Sequence, residues 1–283
     1  MKKGLILEGG AMRGLFTAGV LDVFMENEIE FDGAAGISAG AVFGSNYKSR
    51  QIGRSIRYNK RFCKDKRYGS FSSWLKTGDV FDVDFCYRTI PDELDVFDRE
   101  TFKNNPMEFW VGATNVLTGE AEYHLCSDGG EEDIQWMRGS ASIPFVSRVV
   151  EVSGLQLLDG GTSDAVPYRF MTEQQGYDRC VTILTREPGY KKKKNKLMPI
   201  LRCKLHKYPK LLQALADRHI RYNALYEHMT ERVKAGENYI IRPPFALDVA
   251  KMEKDASKLE KVYRIGREEG MKHLEKVKEF LAR

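Results

Sequence analysis

The 283-residue chain has no apolar run approaching the ~18 residues that a membrane span requires. Its start, MKKGLILEGG, offers two lysines and then Gly-Leu-Ile-Leu. Glu8 ends that apolar stretch after four residues, short of the ~7 a secretory signal needs. The N-terminus therefore reads as a mature first strand. Cysteine is scarce and unpaired in pattern: five residues at 63, 86, 126, 180 and 203, with no C-x-x-C spacing. An odd, scattered set excludes a disulfide framework and a cysteine metal site, and suits reduced thiols in a cytoplasm. Internal repeats are absent, and KKKKNK is the one low-complexity piece. These absences predict a cytoplasmic globular protein.

What is present is an ordinary globular balance, 42% apolar and 30% charged, with a net charge of +5. The charge is unevenly spread. Lys48–Arg67 holds nine Lys/Arg against one acid, Asp65. At helical spacing Arg50, Arg54, Arg57, Arg61 and Lys64 form a stripe opposite Ile52, Ile56, Asn59 and Cys63. Such a stripe can meet anionic lipid at the inner face of a membrane. Lys191–Lys194 with Lys196 form a second basic cluster. No nucleic-acid-binding module accompanies either, so no nucleic-acid partner is expected.

Gly4–Glu8 is a short apolar run closed by Gly9-Gly10, the pattern of a buried strand. Phe16, Val20, Val23 and Phe24 follow at i, i+4, i+7 and i+8, predicting an amphipathic helix with one core face. The chain then turns at Gly33 into a second short strand that ends near Ser38. Strand, glycine turn, helix, strand is a βαβ unit, hence a parallel sheet. A further helix is predicted after Ser38. Later strands are predicted at Phe109–Thr114, Ala121–Leu125, Ser147–Val152, Leu155–Leu158, Val181–Thr185 and Tyr239–Arg242, with a hairpin turn at Ser153-Gly154. Long amphipathic helices are predicted around Leu211–Val233 and Ala256–Leu281. The late strand needs a sheet to join, so one α/β domain over residues 1–283 is expected, its C-terminal helices and strand (197–283) packed on a motif-bearing core at about 4–185.

Three small-residue motifs fall at the ends of predicted strands. EGGAMRG, Glu8–Gly14, lies between a strand and a helix, where outward-facing backbone N–H groups can hold an anion. AAGISAG, Ala34–Gly40, contains Gly36-x-Ser38-x-Gly40, the form of a nucleophile elbow. About one chain in ten of this composition would contain that pattern by chance. LLDGGTSDAVP places Asp159-Gly160-Gly161 after a hairpin strand, 121 residues beyond the serine. A nucleophilic serine needs a base. The five histidines, His124, His206, His219, His228 and His273, precede Asp159 or lie in or beside charge-rich helices. A Ser–Asp dyad, in which Asp159 both positions Ser38 and takes its proton, fits better than a triad. The alternatives are a serine that merely caps a helix and a turn-forming Asp-Gly.

Together and in this order, G-G-x-x-R-G (Gly9, Gly10, Arg13, Gly14), G-x-S-x-G (Gly36, Ser38, Gly40) and D-G-G (Asp159, Gly160, Gly161) resemble the patatin-like phospholipases. SASIPF (Ser140–Phe145), just before the D-G-G hairpin, also looks like that family. The resemblance spans about residues 4–185, and the C-terminal part looks like a bacterial branch. It implies a patatin-type, α/β-hydrolase-like three-layer fold with a mostly parallel sheet and a helical C-terminal part. It further implies a lipid acyl hydrolase acting on lipid or small acyl esters through a Ser38–Asp159 dyad. Oxyanion donors would come from Gly9, Gly10 and Ala11, with Arg13 as the loop's basic residue. Ala11 stands where many members have a third glycine.

No metal or cofactor is called for by that chemistry. Two other classes remain open at this point. Gly9-x-Ala11-x-x-Gly14 is one residue from the dinucleotide fingerprint, with Glu28 or Glu30 near the ribose-binding position. A dinucleotide- or acyl-carrier-dependent enzyme would use that loop for phosphate. A catalytically idle lipid-binding protein would use the same fold without the reaction.

Overall fold

The computed structural model describes residues 1–283. The first strand, β1 (Lys3–Leu7), leads through a single 3-10 turn, Ala11–Arg13, into α1 (Gly14–Glu26), and β2 (Gly33–Ile37) returns parallel beside β1. That is the βαβ unit expected from the sequence. Beyond β2 come α2 (Ala39–Lys48), α3 (Arg54–Phe62), α4 (Phe71–Thr77), a π-type helix (Phe85–Leu94) and α5 (Arg99–Asn104). Strands β3 (Glu108–Asn115) and β4 (Ala121–Cys126) precede α6 (Glu131–Ala141). The hairpin β5 (Val150–Val152) and β6 (Leu155–Asp159) turns at Ser153 and Gly154, both at positive φ (53° and 74°), as a type I′ turn requires. Strand β7 (Arg179–Ile183), α7 (Met198–Lys204), α8 (Pro209–Lys234), β8 (Asn238–Ile241) and α9 (Ala256–Ala282) complete the chain.

The strands form one sheet in the order β5-β6-β3-β2-β1-β7-β8, with β4 also paired to β3. The run β3-β2-β1-β7-β8 is parallel, and the pairings of β3 with β4 and β6 and of β5 with β6 are antiparallel. Alternation along the strands divides the core in two. Leu5, Leu7, Phe109, Val111, Val181 and Ile183 feed the larger cluster with α1, α2 and α9. Ile6, Ala35 and Cys180 feed the opposite one, closed by Tyr168, Tyr222 and Met229. Two helical layers therefore sandwich the sheet, as period-2 burial dictates.

Two elements differ from their sequence pattern. Helix α1 is buried on nearly every side rather than along one stripe, because α9 covers its outer face. The two helices meet at Gly19 and Gly266, where a Cβ on either would overlap a carbonyl of the other helix. The basic segment is two helices, not one. Gly53, at φ 71°, ends the connection and starts α3 in a new direction.

No helix is long and apolar enough to cross a membrane.

Candidate active site

The register of the sheet brings the serine and the aspartate to opposite edges of one strand. Ile37, the last residue of β2, pairs with Gly112 of β3, and Asp159 at the end of β6 pairs with Ala113 on the other side. Ser38 comes next after Ile37, in the one-residue turn between β2 and α2. Its backbone is strained, at φ 54° and ψ −118°, and its side chain makes no helix-capping hydrogen bond. The capping alternative fails on that point. Instead Ser38 Oγ donates to Asp159 Oδ2 at 3.4 Å. The small neighbours are required by crowding: a Cβ on Gly36 would lie 2.5 Å from Gly40, and one on Gly40 would lie 2.5 Å from the Leu7 carbonyl oxygen. The elbow folds because those side chains are missing.

The SASIPF segment holds both residues. Ser140 Oγ accepts the Ser38 amide N–H at 2.8 Å and donates to the Gly112 carbonyl at 2.5 Å. The Ser142 carbonyl accepts the Asp159 amide N–H at 2.7 Å. Asp159 Oδ1 accepts the Gly161 N–H at 2.7 Å, which leaves Oδ2 turned to the serine. Burial pushes the Asp159 carboxyl above its ordinary value, while Arg218 and the Gly161 and Ser38 hydrogen bonds pull it down. A carboxylate so placed can accept a serine proton.

In the glycine loop the structure makes one correction. The Gly9 N–H already donates to the Ala165 carbonyl at 3.2 Å, so it is not a free oxyanion donor. Gly9 continues the strand's hydrogen bonding, as Glu8 does through Ile183. The N–H groups of Gly10 and Ala11 have no backbone acceptor. Ala11 sits at φ 48°, a left-handed conformation that glycine adopts more cheaply. Glu8 anchors the loop from below. It is 1% exposed, its Oε2 accepts from the Thr185 N–H and Oγ1, and its Oε1 accepts the Tyr222 hydroxyl at 2.8 Å.

A cavity of about 150 Å³ opens beside Ser38 and Ala11. Ala39, Val42, Phe43 and Ser45 of α2 line it in succession, so it extends ~9 Å along that helix at 1.5 Å per residue. Sixteen of its twenty-two lining residues are hydrophobic, and no histidine is among them. Lys251 also borders it.

Arg54 lines the same cavity, and this removes it from the expected membrane-facing stripe. Arg54 is 5% exposed and donates to the Asp95 carbonyl and to Asn46 Oδ1. Arg57 forks onto the Asp95 carboxylate, Arg50 pairs with Glu30, and Arg61 donates to the Leu94 carbonyl. Arg50, Arg57 and Arg61 keep these partners while remaining exposed, and Lys64 is exposed with a free side chain. Helical spacing alone cannot show such partners.

Sequence reading also missed a His124, Cys126 and Asp133 group with ligand atoms within 4.8 Å of one another. Asp133 is fully engaged there. Its Oδ1 meets His124 Nε2 at 2.7 Å and its Oδ2 accepts three backbone N–H groups from Ser127, Asp128 and Gly129. The group works as a staple for the loop into α6. Arg218 and Lys251, which lie near Asp159 and Ser38, belong to C-terminal segments where no local motif marks them.

Residues 5–171 match the family described as patatin-like phospholipase, and residues 208–282 match a domain of unknown function, DUF6363. The uncharacterized protein YjjU of Escherichia coli is 30% identical over 187 residues, 64% of this chain and 51% of that protein. Lysophospholipase nte1 of Aspergillus niger is 30% identical over 170 residues, 57% of this chain and 10% of the relative. Lysophospholipase NTE1 of Saccharomyces cerevisiae is 26% identical over 196 residues, 66% of this chain and 11% of the relative. The chain thus spans about half the length of the bacterial relative and about a tenth of the fungal ones. The solved structure of VipD from Legionella pneumophila aligns with 97% of this chain and 67% of its own, at 13% identity and a TM-score of 0.48. With more than half of its length matched by the family pattern, the chain belongs to the patatin-like phospholipases.

Proposed function

We propose that the protein is a serine lipid acyl hydrolase that cleaves carboxylic esters through a Ser38–Asp159 dyad and an acyl-enzyme. The observation that carries this reading is the strained Ser38, its Oγ turned to a half-buried Asp159 at the mouth of an apolar cavity. Ser38 Oγ attacks the ester carbonyl carbon as its proton passes to Asp159 Oδ2. The oxyanion is met by the N–H groups of Gly10 and Ala11. Collapse of the tetrahedral intermediate breaks the bond to the alcohol, which leaves with the proton from Asp159. Water then attacks the acyl-enzyme, gives its proton to Asp159, and the released acid frees Ser38 with that proton restored.

The hydrocarbon lining favours an acyl chain over a dinucleotide in the space beside the glycine loop. Substrates are accordingly phospholipids, lysophospholipids or related acyl esters, in line with the lysophospholipase relatives. Fluorophosphonate labelling and ester turnover test the reading. Wild type should label at Ser38 and turn over, and Ser38→Ala and Asp159→Asn should each lose ~10³-fold or more in kcat. Full activity in Ser38→Ala overturns the mechanism. Lipid binding by wild type without turnover on any ester would leave an idle lipid-binding scaffold instead.

A further inference from the structure

Five cations gather round the glycine loop with no acid paired to them and no hydrogen-bond acceptor for their side chains. Arg13, Arg186, Lys192, Arg218 and Lys251 take part in none of the protein's ion pairs, and none of their side chains donates a hydrogen bond. The Nε atoms of Arg13 and Arg218 are buried with no acceptor. Unsatisfied buried guanidinium N–H is costly, so its presence points to an acceptor that arrives with a ligand.

The positions converge on the dyad. A point 2.9 Å from Arg218 Nη2 lies 2.8 Å from Asp159 Oδ1, directly above Gly161. Lys251 borders the cavity with Ser38 and Ala11. Lys192 Nζ sits 4.2 Å from the centre of the Tyr222 ring, whose hydroxyl holds Glu8 at the foot of the loop. Arg186 follows Thr185, which binds the same carboxylate, and lies 4.3 Å over Tyr190. Asn223 clamps the Lys192 backbone on both sides, accepting its N–H at 2.9 Å and donating to its carbonyl at 3.1 Å.

We propose that these five residues form a receptor for a phosphomonoester, so that the alcohol side of the preferred ester ends in a free, uncapped phosphate. The ester part of this statement rests on the hydrolase reading above; the phosphate part does not. With the acyl chain laid along α2, the alcohol portion leaves the cavity on the loop side, into the cations. Glu8 and Asp159 act on these cations most directly, with Glu187 next to Arg186 and Asp164 beside Arg218, and the cations outnumber the acids. A phosphomonoester, at about −1.5 to −2 near neutral pH, matches that excess better than a monoanion does. Lys192 agrees with this. Burial first, and then Arg218, Arg13 and Arg186 outweighing Glu8, bring its ammonium down to about 7, a state that an incoming dianion reverses.

The test compares a monoacylglycerol with the acyl-glycerol phosphate of the same chain. Wild type should favour the phosphate ester by ~10–100-fold in kcat/KM. In Arg186→Gln/Lys192→Gln that ratio should fall toward one, whereas Lys194→Gln in the exposed lysine run should keep it. Because the ratio is taken within one variant, misfolding lowers both rates and leaves it unchanged. A wild-type ratio near one, or a ratio unmoved in the double variant, overturns the receptor while Ser38 labelling preserves the hydrolase. Calorimetry on Ser38→Ala separates the ligand's sources. The acyl-glycerol phosphate should bind, glycerol phosphate should displace it, and inorganic phosphate should bind more weakly. Inorganic phosphate binding as tightly as the lipid overturns the head-group assignment. Saturable lipid-phosphate binding without any turnover or labelling leaves the receptor and removes the hydrolase.

Discussion

Ser140 Oγ receives the Ser38 amide N–H at 2.8 Å, and through the Gly112 carbonyl it ties the elbow to the central strand β3. That amide is thereby removed from oxyanion duty and used to fix the direction of the serine side chain.

Replacing Ser140 should therefore impair geometry more than binding. Ser140→Ala strands a buried N–H and a buried carbonyl, so stability should drop by about 1–3 kcal/mol. With Ser38 less well aimed, kcat on a soluble ester should fall ~10–100-fold with a small change in KM. Denaturant unfolding and ester kinetics on the same preparation check both. Unchanged kcat would show that the elbow holds without this bond.

The strain at Ser38 predicts a trade between stability and activity. A non-glycine residue at φ 54° and ψ −118° costs about 1–3 kcal/mol, and glycine at that point relieves most of it. Greater freedom of the unfolded chain returns about 0.4–1 kcal/mol. Ser38→Gly and Ser38→Ala should both be inactive, but the glycine variant should unfold later by about 1 kcal/mol. Urea midpoints at matched slope measure this. Equal midpoints would mean that the elbow is unstrained.

What sequence disclosed and what it hid divide along one physical line. The β1–loop–α1–β2 unit, the elbow and the Ser153-Gly154 hairpin are local, and their glycines and alternation spell them out. The segment between Lys64 and Met107 gave no pattern. Its π-type helix carries Pro91 and follows neither period. Gly9 could not be excluded as a donor from sequence, because its acceptor, Ala165, is 156 residues away. Arg54 looked like a surface cation until Asp95 and Asn46 met it. The SASIPF segment was visible as a likeness, and only the fold shows that Ser140 and Ser142 grip Ser38 and Asp159.

Arg218 should set the acid limb of the pH profile. In the proposed mechanism Asp159 must be ionised to accept the serine proton, and Arg218 is the largest influence holding its raised pKa down. Removing that charge in Arg218→Gln raises the Asp159 pKa further. The rise of kcat/KM with pH should then occur at a higher pH than in wild type, with the plateau reached later. Profiles on a neutral ester, which keep the phosphate receptor out of the measurement, check the direction. A limb moving to lower pH would contradict the assignment of Asp159 as base.

Asp22 should make the fold lose stability as the medium turns neutral. It is 3% exposed on α1, where its Oδ2 accepts the Tyr263 hydroxyl of α9 at 2.6 Å and the Gly53 N–H at 3.0 Å. Burial raises its pKa from 3.8 to about 6, against the hydrogen bonds and Arg267 and with help from Glu26. The folded protein thus holds this proton more tightly than the unfolded chain does. Its stabilising contribution is complete below pH ~4 and is lost as pH rises through 6, a span of about 3 kcal/mol. Asp22→Asn keeps a carbonyl acceptor for Tyr263 and cannot ionise. Relative to wild type, the variant should gain stability between pH 4.5 and pH 7.5 in urea unfolding. Curves that stay parallel across that interval would show that Asp22 does not titrate in it.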